Sequence, residues 1–75
     1  MKLHEKIRRY INENNLTIKE VGEQTNIEIK RFYRIIAGDS KMTADEFESI
    51  CKVLNVDPKY FFDNNFLVAK NKKAI

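Results

Sequence analysis

Residues 17–38 read TIKEVGEQTNIEIKRFYRIIAG, and the fold turns on this stretch. Thr17, with Glu20 three positions later, is a capping-box pattern that starts a helix at Ile18 and carries it to about Gln24. Asn26 and Ile27 form a short turn. A second helix then spans about Glu28–Ala37, and Gly38 stands where helices commonly end on a positive-φ residue. Two helices joined by a turn of about three residues make a bihelical unit held at a steep angle.

At about 100° per residue, Ile35, Phe32, Ile36, Ile29 and Tyr33 share one arc of the second helix, roughly 160° wide. Lys30, Arg34 and Arg31 fall opposite, with Lys30 and Arg34 one turn apart. No acid follows Glu28 within the helix to neutralise this stripe by i,i+4 pairing. One flank suits a core and the other is wholly cationic. A solvated surface is the plain reading of such a flank. The neighbouring helix points further: in a bihelical unit of this kind the first helix crosses the sugar-phosphate backbone while the second enters the major groove. There Arg and Lys donate to guanine O6 and N7. At the head of the first helix, the backbone N–H groups around Ile18 and the Thr17 hydroxyl suit a phosphate. Thr17 serves equally as an ordinary N-cap, and the two roles coexist.

Outward from this unit, Leu3, Ile7 and Ile11 recur every four residues beside Tyr10, an amphipathic helix ending near Asn14-Asn15. Thr43 and Glu46 repeat the capping box and open a helix with Phe47, Ile50, Cys51 and Leu54 inward and Asn55 at its close. Asp57-Pro58 reads as N-cap and first-turn proline for a fifth helix through Tyr60, Phe61 and Phe62. The expected fold is therefore all-α, a compact five-helix bundle. Its expected core is Leu3, Ile7, Ile11, Leu16, Val21, Phe32, Ile35, Ile50, Leu54, Val56 and Phe61. Each stabilises the bundle by roughly 1.5–3 kcal/mol before entropy is subtracted.

The expected domain is residues 1–65, with 66–75 a tail. Phe66–Ala69 is too apolar for a free end. It pairs as a strand across a dimer, extends the fifth helix, or packs back on the first, and a dimer contact leads among these. Lys70, Lys72 and Lys73 add phosphate contacts or keep the end soluble.

Composition sets the bounds. Seventy-five residues make one domain with one modest core, and 43% apolar content argues against wholesale disorder. The net charge of +3 is unevenly spread. Residues 1–38 carry eight Lys/Arg against five Asp/Glu, residues 39–66 three against six, and the last nine residues three more lysines. That pattern suits a polyanion on one face, a weak signal by itself. No run approaches the ~18 apolar residues of a membrane span, and no secretory signal is present, so the expected location is cytoplasmic. Cys51 has no partner for a disulfide, and with His4, the one histidine, it offers no metal-ligand spacing. Asp45, Glu46 and Glu48 suit the start of a helix, and a catalytic carboxylate pair needs a cleft that this chain can hardly build. Without a glycine-rich phosphate loop either, the expectation is no enzyme, no cofactor and no metal.

Residues 16–39, LTIKEVGEQTNIEIKRFYRIIAGD, and 41–62, KMTADEFESICKVLNVDPKYFF, resemble the lambda-repressor-like, or Xre-type, helix-turn-helix domains. The likeness covers roughly residues 5–62. It rests on the ordered series Val21, Ile27, Phe32, Ile35, Gly38, Leu54 and Val56 and on the segment Leu54–Pro58. It implies a five-helix domain binding double-stranded DNA, commonly a homodimer on a palindromic operator, in phage repressors and related bacterial regulators. Carried over, the groove-reading positions are Ile29, Lys30, Tyr33 and Arg34; Arg31, Lys41, Thr17 and Ile18 lie nearer phosphates. The chain departs from the family pattern at four places. Ile18 replaces a frequent Gln, Glu28 a frequent Ser or Thr, Gly22 a typical Ala, and Ala37 a frequent Asn. Ile29 either meets thymine methyls or packs on the preceding helix. Tyr33 either reaches a phosphate or roofs the core.

Two functions compete. One is a sequence-specific transcriptional regulator, a repressor, acting as a homodimer. The other is a protein-interaction module on the same fold, an antitoxin or an inhibitor of a partner, motivated by Glu28, Ile18, Ala37 and the modest charge. Retention of duplex DNA at ~0.15 M salt separates them.

Overall fold

The computed structural model describes residues 1–62. Four α-helices follow one another: α1 Leu3–Glu13, α2 Ile18–Gln24, α3 Ile29–Ala37 and α4 Ala44–Leu54. The expected fifth helix is a 3₁₀ turn, Pro58–Phe61. Asp57 starts it, its Oδ1 accepting from the Lys59 N–H at 2.9 Å. The Tyr60 N–H then bonds the Asp57 carbonyl and the Phe62 N–H the Lys59 carbonyl, both three residues back, which is the tighter 3₁₀ pattern. The expected boundary at residue 65 and the calls on Phe66–Ala69, Lys70, Lys72 and Lys73 lie outside the described residues.

Short polar side chains fix the helix ends. The Thr43 hydroxyl accepts from the Glu46 N–H at 3.1 Å, and Glu46 Oε1 accepts from the Thr43 N–H at 2.9 Å, a complete capping box. At α2 only half the box forms. The Thr17 hydroxyl accepts from the Glu20 N–H at 3.0 Å, while its own proton goes to the Glu20 carboxylate at 3.1 Å. Asn15, Gly38 and Asn55 turn the chain with φ of 58°, 89° and 58°, the left-handed geometry that Gly and Asn tolerate best.

The core draws on every element: Ile7 and Ile11 from α1, Val21 from α2, Phe32, Ile35 and Ile36 from α3, Ile50, Cys51 and Leu54 from α4, and Phe61. Leu3, Leu16 and Val56, expected inside, are only partly buried. Leu3 opens α1, and the other two lie in the connections after α1 and α4, where fewer neighbours surround a side chain. Ile36 and Cys51, on the inward faces expected of α3 and α4, are buried too, whereas Phe47, expected inward, is only partly buried. α3 packs on α1 and α2, α4 packs on α2, and the 3₁₀ turn packs on α1 and α4. Two cations strap α1 in place: Lys6 Nζ donates to the Phe61 carbonyl at 2.9 Å and Arg8 Nη1 to the Ile36 carbonyl at 3.3 Å.

Candidate nucleic-acid interface

The placement of α3 begins with two small residues. Thr25, buried at the end of α2, donates its hydroxyl proton to the Gly22 carbonyl at 2.8 Å and accepts from the Ile27 N–H at 3.3 Å. This closes the turn from inside. Gly22 itself lies beneath α3: a methyl built on it would stand 2.6 Å from Phe32 Cδ2 and 2.8 Å from Ile29 Cδ1. With no side chain at this point, the two helices meet closely. Phe32, Ile35 and Ile36 then sink into the core and turn the opposite flank of α3 outward.

On that flank Lys30 and Arg34 are exposed, and among the described residues neither takes part in an ion pair. Tyr33, at the edge of the apolar arc, is 44% exposed. Ile29 is half-buried with Cδ1 directed at Gly22, and its body packs on α2. Lys41 is exposed in the loop between α3 and α4. At the head of α2, Thr17 is exposed and Ile18 half-buried against the core, and the Thr17 hydroxyl proton is already committed to Glu20.

Arg31 differs from its neighbours on the stripe. Its Nε and Nη2 donate to the two carboxylate oxygens of Glu46, the second at 2.9 Å, and Nη2 also reaches the Lys41 carbonyl at 3.1 Å. The fork thus joins the outer side of α3 to the first turn of α4 and to the loop between them. Glu46 is the more enclosed partner, its side chain 16% exposed against 39% for Arg31. The Arg31 guanidinium, helped by the Thr43 N–H, holds the Glu46 carboxyl down at about 2, against an ordinary 4.5.

Sequence reasoning missed this partner because Glu46 is fifteen residues away and already had a local role in its capping box. It missed Thr25 as well, although a threonine directly before a turn is a backbone-bonding signal. It also missed the packing of His4 over Gly38, where a methyl would meet His4 Nε2 at 2.5 Å.

The assembled surface therefore presents Lys30, Tyr33 and Arg34 on one rigid helix, with Lys41 on the loop that Arg31 ties to it. Such a surface supplies donors and positive charge. Among the described residues no group of three His, Cys, Asp or Glu side chains is arranged to hold a metal ion, and no helix is long and apolar enough to cross a membrane. A family model described as a helix-turn-helix domain matches residues 4–65. No curated protein and no solved structure matches the chain.

Proposed function

Because the chain belongs to the helix-turn-helix domain family, in its lambda-repressor-like (Xre-type) group, we propose that it is a sequence-specific regulator of transcription that inserts α3 into the major groove of double-stranded DNA. The observation that carries this reading is the pair Lys30 and Arg34, one turn apart, exposed, and on the helix face opposite Phe32 and Ile35. In the groove Arg34 offers a two-pronged donor for guanine, worth about 1–3 kcal/mol of discrimination, and Lys30 a point charge one turn nearer the N-terminus. Tyr33 supports them with a hydroxyl at the rim. Ile29 contributes through its grip on Gly22 more than through a base. Thr17 and Ile18 flank the backbone at the head of α2, and Lys41 adds a phosphate contact from the loop.

The regulator acts as a homodimer on a palindromic operator and represses, in a phage or a bacterium. Support for a second copy comes from the surface between α1 and the 3₁₀ turn. Tyr60 and Phe62 are 62% and 46% exposed and, with Met1 and Tyr10, line a hollow of about 430 Å³. Lys6, Arg9 and Glu13 also line it. The same surface favours the second reading, a module that binds a different protein. Selection of sites from randomised duplex DNA at ~0.15 M salt tests the choice. A palindrome with half-sites about one helical turn apart supports the dimeric regulator. Recovery of no preferred sequence, with duplex retained only at very low salt, overturns it in favour of the interaction module.

A further inference from the structure

We infer that Glu46 withholds Arg31 from the DNA backbone and thereby sets how much of the binding is indifferent to sequence, an inference that rests on the DNA-binding reading above. By position on the helix, Arg31 belongs to the cationic stripe: it is adjacent to Lys30 and three residues before Arg34. By contact it does not. Three donor–acceptor bonds hold its guanidinium, two to Glu46 and one to the Lys41 carbonyl. Glu46 is equally committed, because Oε1 accepts from both Arg31 and the Thr43 N–H and Oε2 accepts from Arg31.

For Arg31 to reach a phosphate it must abandon this carboxylate. That leaves a negative charge, mostly enclosed by protein, without its partner and beside a polyanion. A solvated phosphate at the edge of the interface gives Arg31 one contact in exchange for three. The paired arrangement therefore persists in the complex, and the stripe brings two net charges to DNA where three stand in the sequence. Sequence-independent affinity grows with each phosphate neutralised, so one withheld cation keeps the background low relative to the readout by Arg34. Glu46 is a specificity-determining residue that touches no DNA.

Salt titrations on a random duplex test this with Glu46→Gln and with the double variant Arg31→Gln/Glu46→Gln. Glutamine keeps the α4 cap, because its amide oxygen still accepts from the Thr43 N–H. It cannot neutralise Arg31. The expected result is a Glu46→Gln slope of log affinity on log salt that is steeper than wild type by about one unit, equivalent to a roughly threefold larger loss between about 50 and 200 mM salt. The double variant matches the wild-type slope. An unchanged slope in Glu46→Gln, or a slope about one unit shallower in the double variant, overturns the inference while leaving the DNA-binding reading intact. Should Glu46→Gln fail to fold, the double variant against wild type decides alone. Wild-type protein that binds no duplex even at low salt overturns both.

Discussion

Gly22 lies so close to Phe32 that a methyl group on its α-carbon would meet ring atom Cδ2 at 2.6 Å. Phe32 is fully buried, so the ring has nowhere to retreat. Ile29 Cδ1, at 2.8 Å, is the free end of a half-buried side chain and yields more easily. An alanine in mid-helix gains about 1 kcal/mol over glycine, whereas overpacking a core costs about 1–3 kcal/mol. Overpacking wins. Gly22→Ala is expected to lower stability by about 1 kcal/mol, a fall of roughly 4–8 °C in the melting midpoint for a domain of this size. If α3 enters the groove, DNA affinity falls further than the folded fraction does, because relief of the clash tilts α3. A melting curve beside a binding titration measures both, and an unchanged or raised midpoint would contradict the close approach.

At Gly38 two costs add. The backbone there is left-handed, with φ of 89°, and a methyl would strike the His4 imidazole, 2.5 Å from Nε2. Gly38→Ala is expected to cost about 1–3 kcal/mol, from left-handed strain of about 1–2 kcal/mol and the displaced ring. The two parts separate in a double-mutant cycle with His4→Ala. Truncating His4 removes the clash and leaves the strain, so the double variant is expected to be more stable than the sum of the singles by about 0.5–1 kcal/mol. Strict additivity in denaturant melts would mean that His4 does not cover the turn.

These contacts mark where the sequence stopped being legible. Periodicity and capping residues specify local structure, and Thr17, Gly38, Thr43 and Asn55 each end or begin a helix as their chemistry predicts. The apolar arc of α3 is legible for the same reason, since Phe32, Ile35 and Ile36 must be covered. The exposed stripe is legible as charge but not as pairing. Nothing local distinguishes Arg31, held by a carboxylate from α4, from Arg34, which has no ion pair among the described residues. That difference arises only when the fold brings the first turn of α4 within reach of Arg31. The fifth helix fell short for a related reason: Asp57-Pro58 announces a start, and no signal in Lys59–Phe62 reveals that the turn winds only four residues.

Acid should unfold the protein partly through Glu46. Its carboxyl, held down to about 2 by Arg31 and the Thr43 N–H against an ordinary 4.5, stays ionised in the folded state at pH values where the unfolded chain takes up a proton. A depressed folded-state value contributes stability in full above about 4.5, and that contribution is lost as pH falls toward 2. Glu5, lowered by the Lys2 N–H, acts in the same direction. Melting midpoints taken at about pH 5 and about pH 2.5 are expected to fall more in wild type than in Glu46→Gln, which has no proton to gain at this site. Equal falls in the two proteins would mean that the fork to Arg31 contributes nothing to folding.

Arg34 and Lys41 offer the sharpest test of the interface, because the two cations are expected to fail differently. Arg34 projects from the last turn of α3, with no acid paired to it among the described residues; Lys41 sits on the loop between α3 and α4. If Arg34 reads a base, Arg34→Ala weakens the selected site by about 1–3 kcal/mol and random DNA far less, relaxing preference at one base pair of each half-site. Lys41→Ala weakens both DNAs alike and flattens the salt slope by about one unit. Arg34→Lys sharpens the contrast: it keeps the charge and loses the planar fork, so the salt slope stays as in wild type while discrimination at that base pair drops toward the alanine level. Titrations of the three variants on selected and random duplexes at several salt concentrations read out every term. An Arg34→Lys protein that keeps full discrimination would make Arg34 a point charge on the backbone, and direct readout would then have to come from Lys30 or Tyr33.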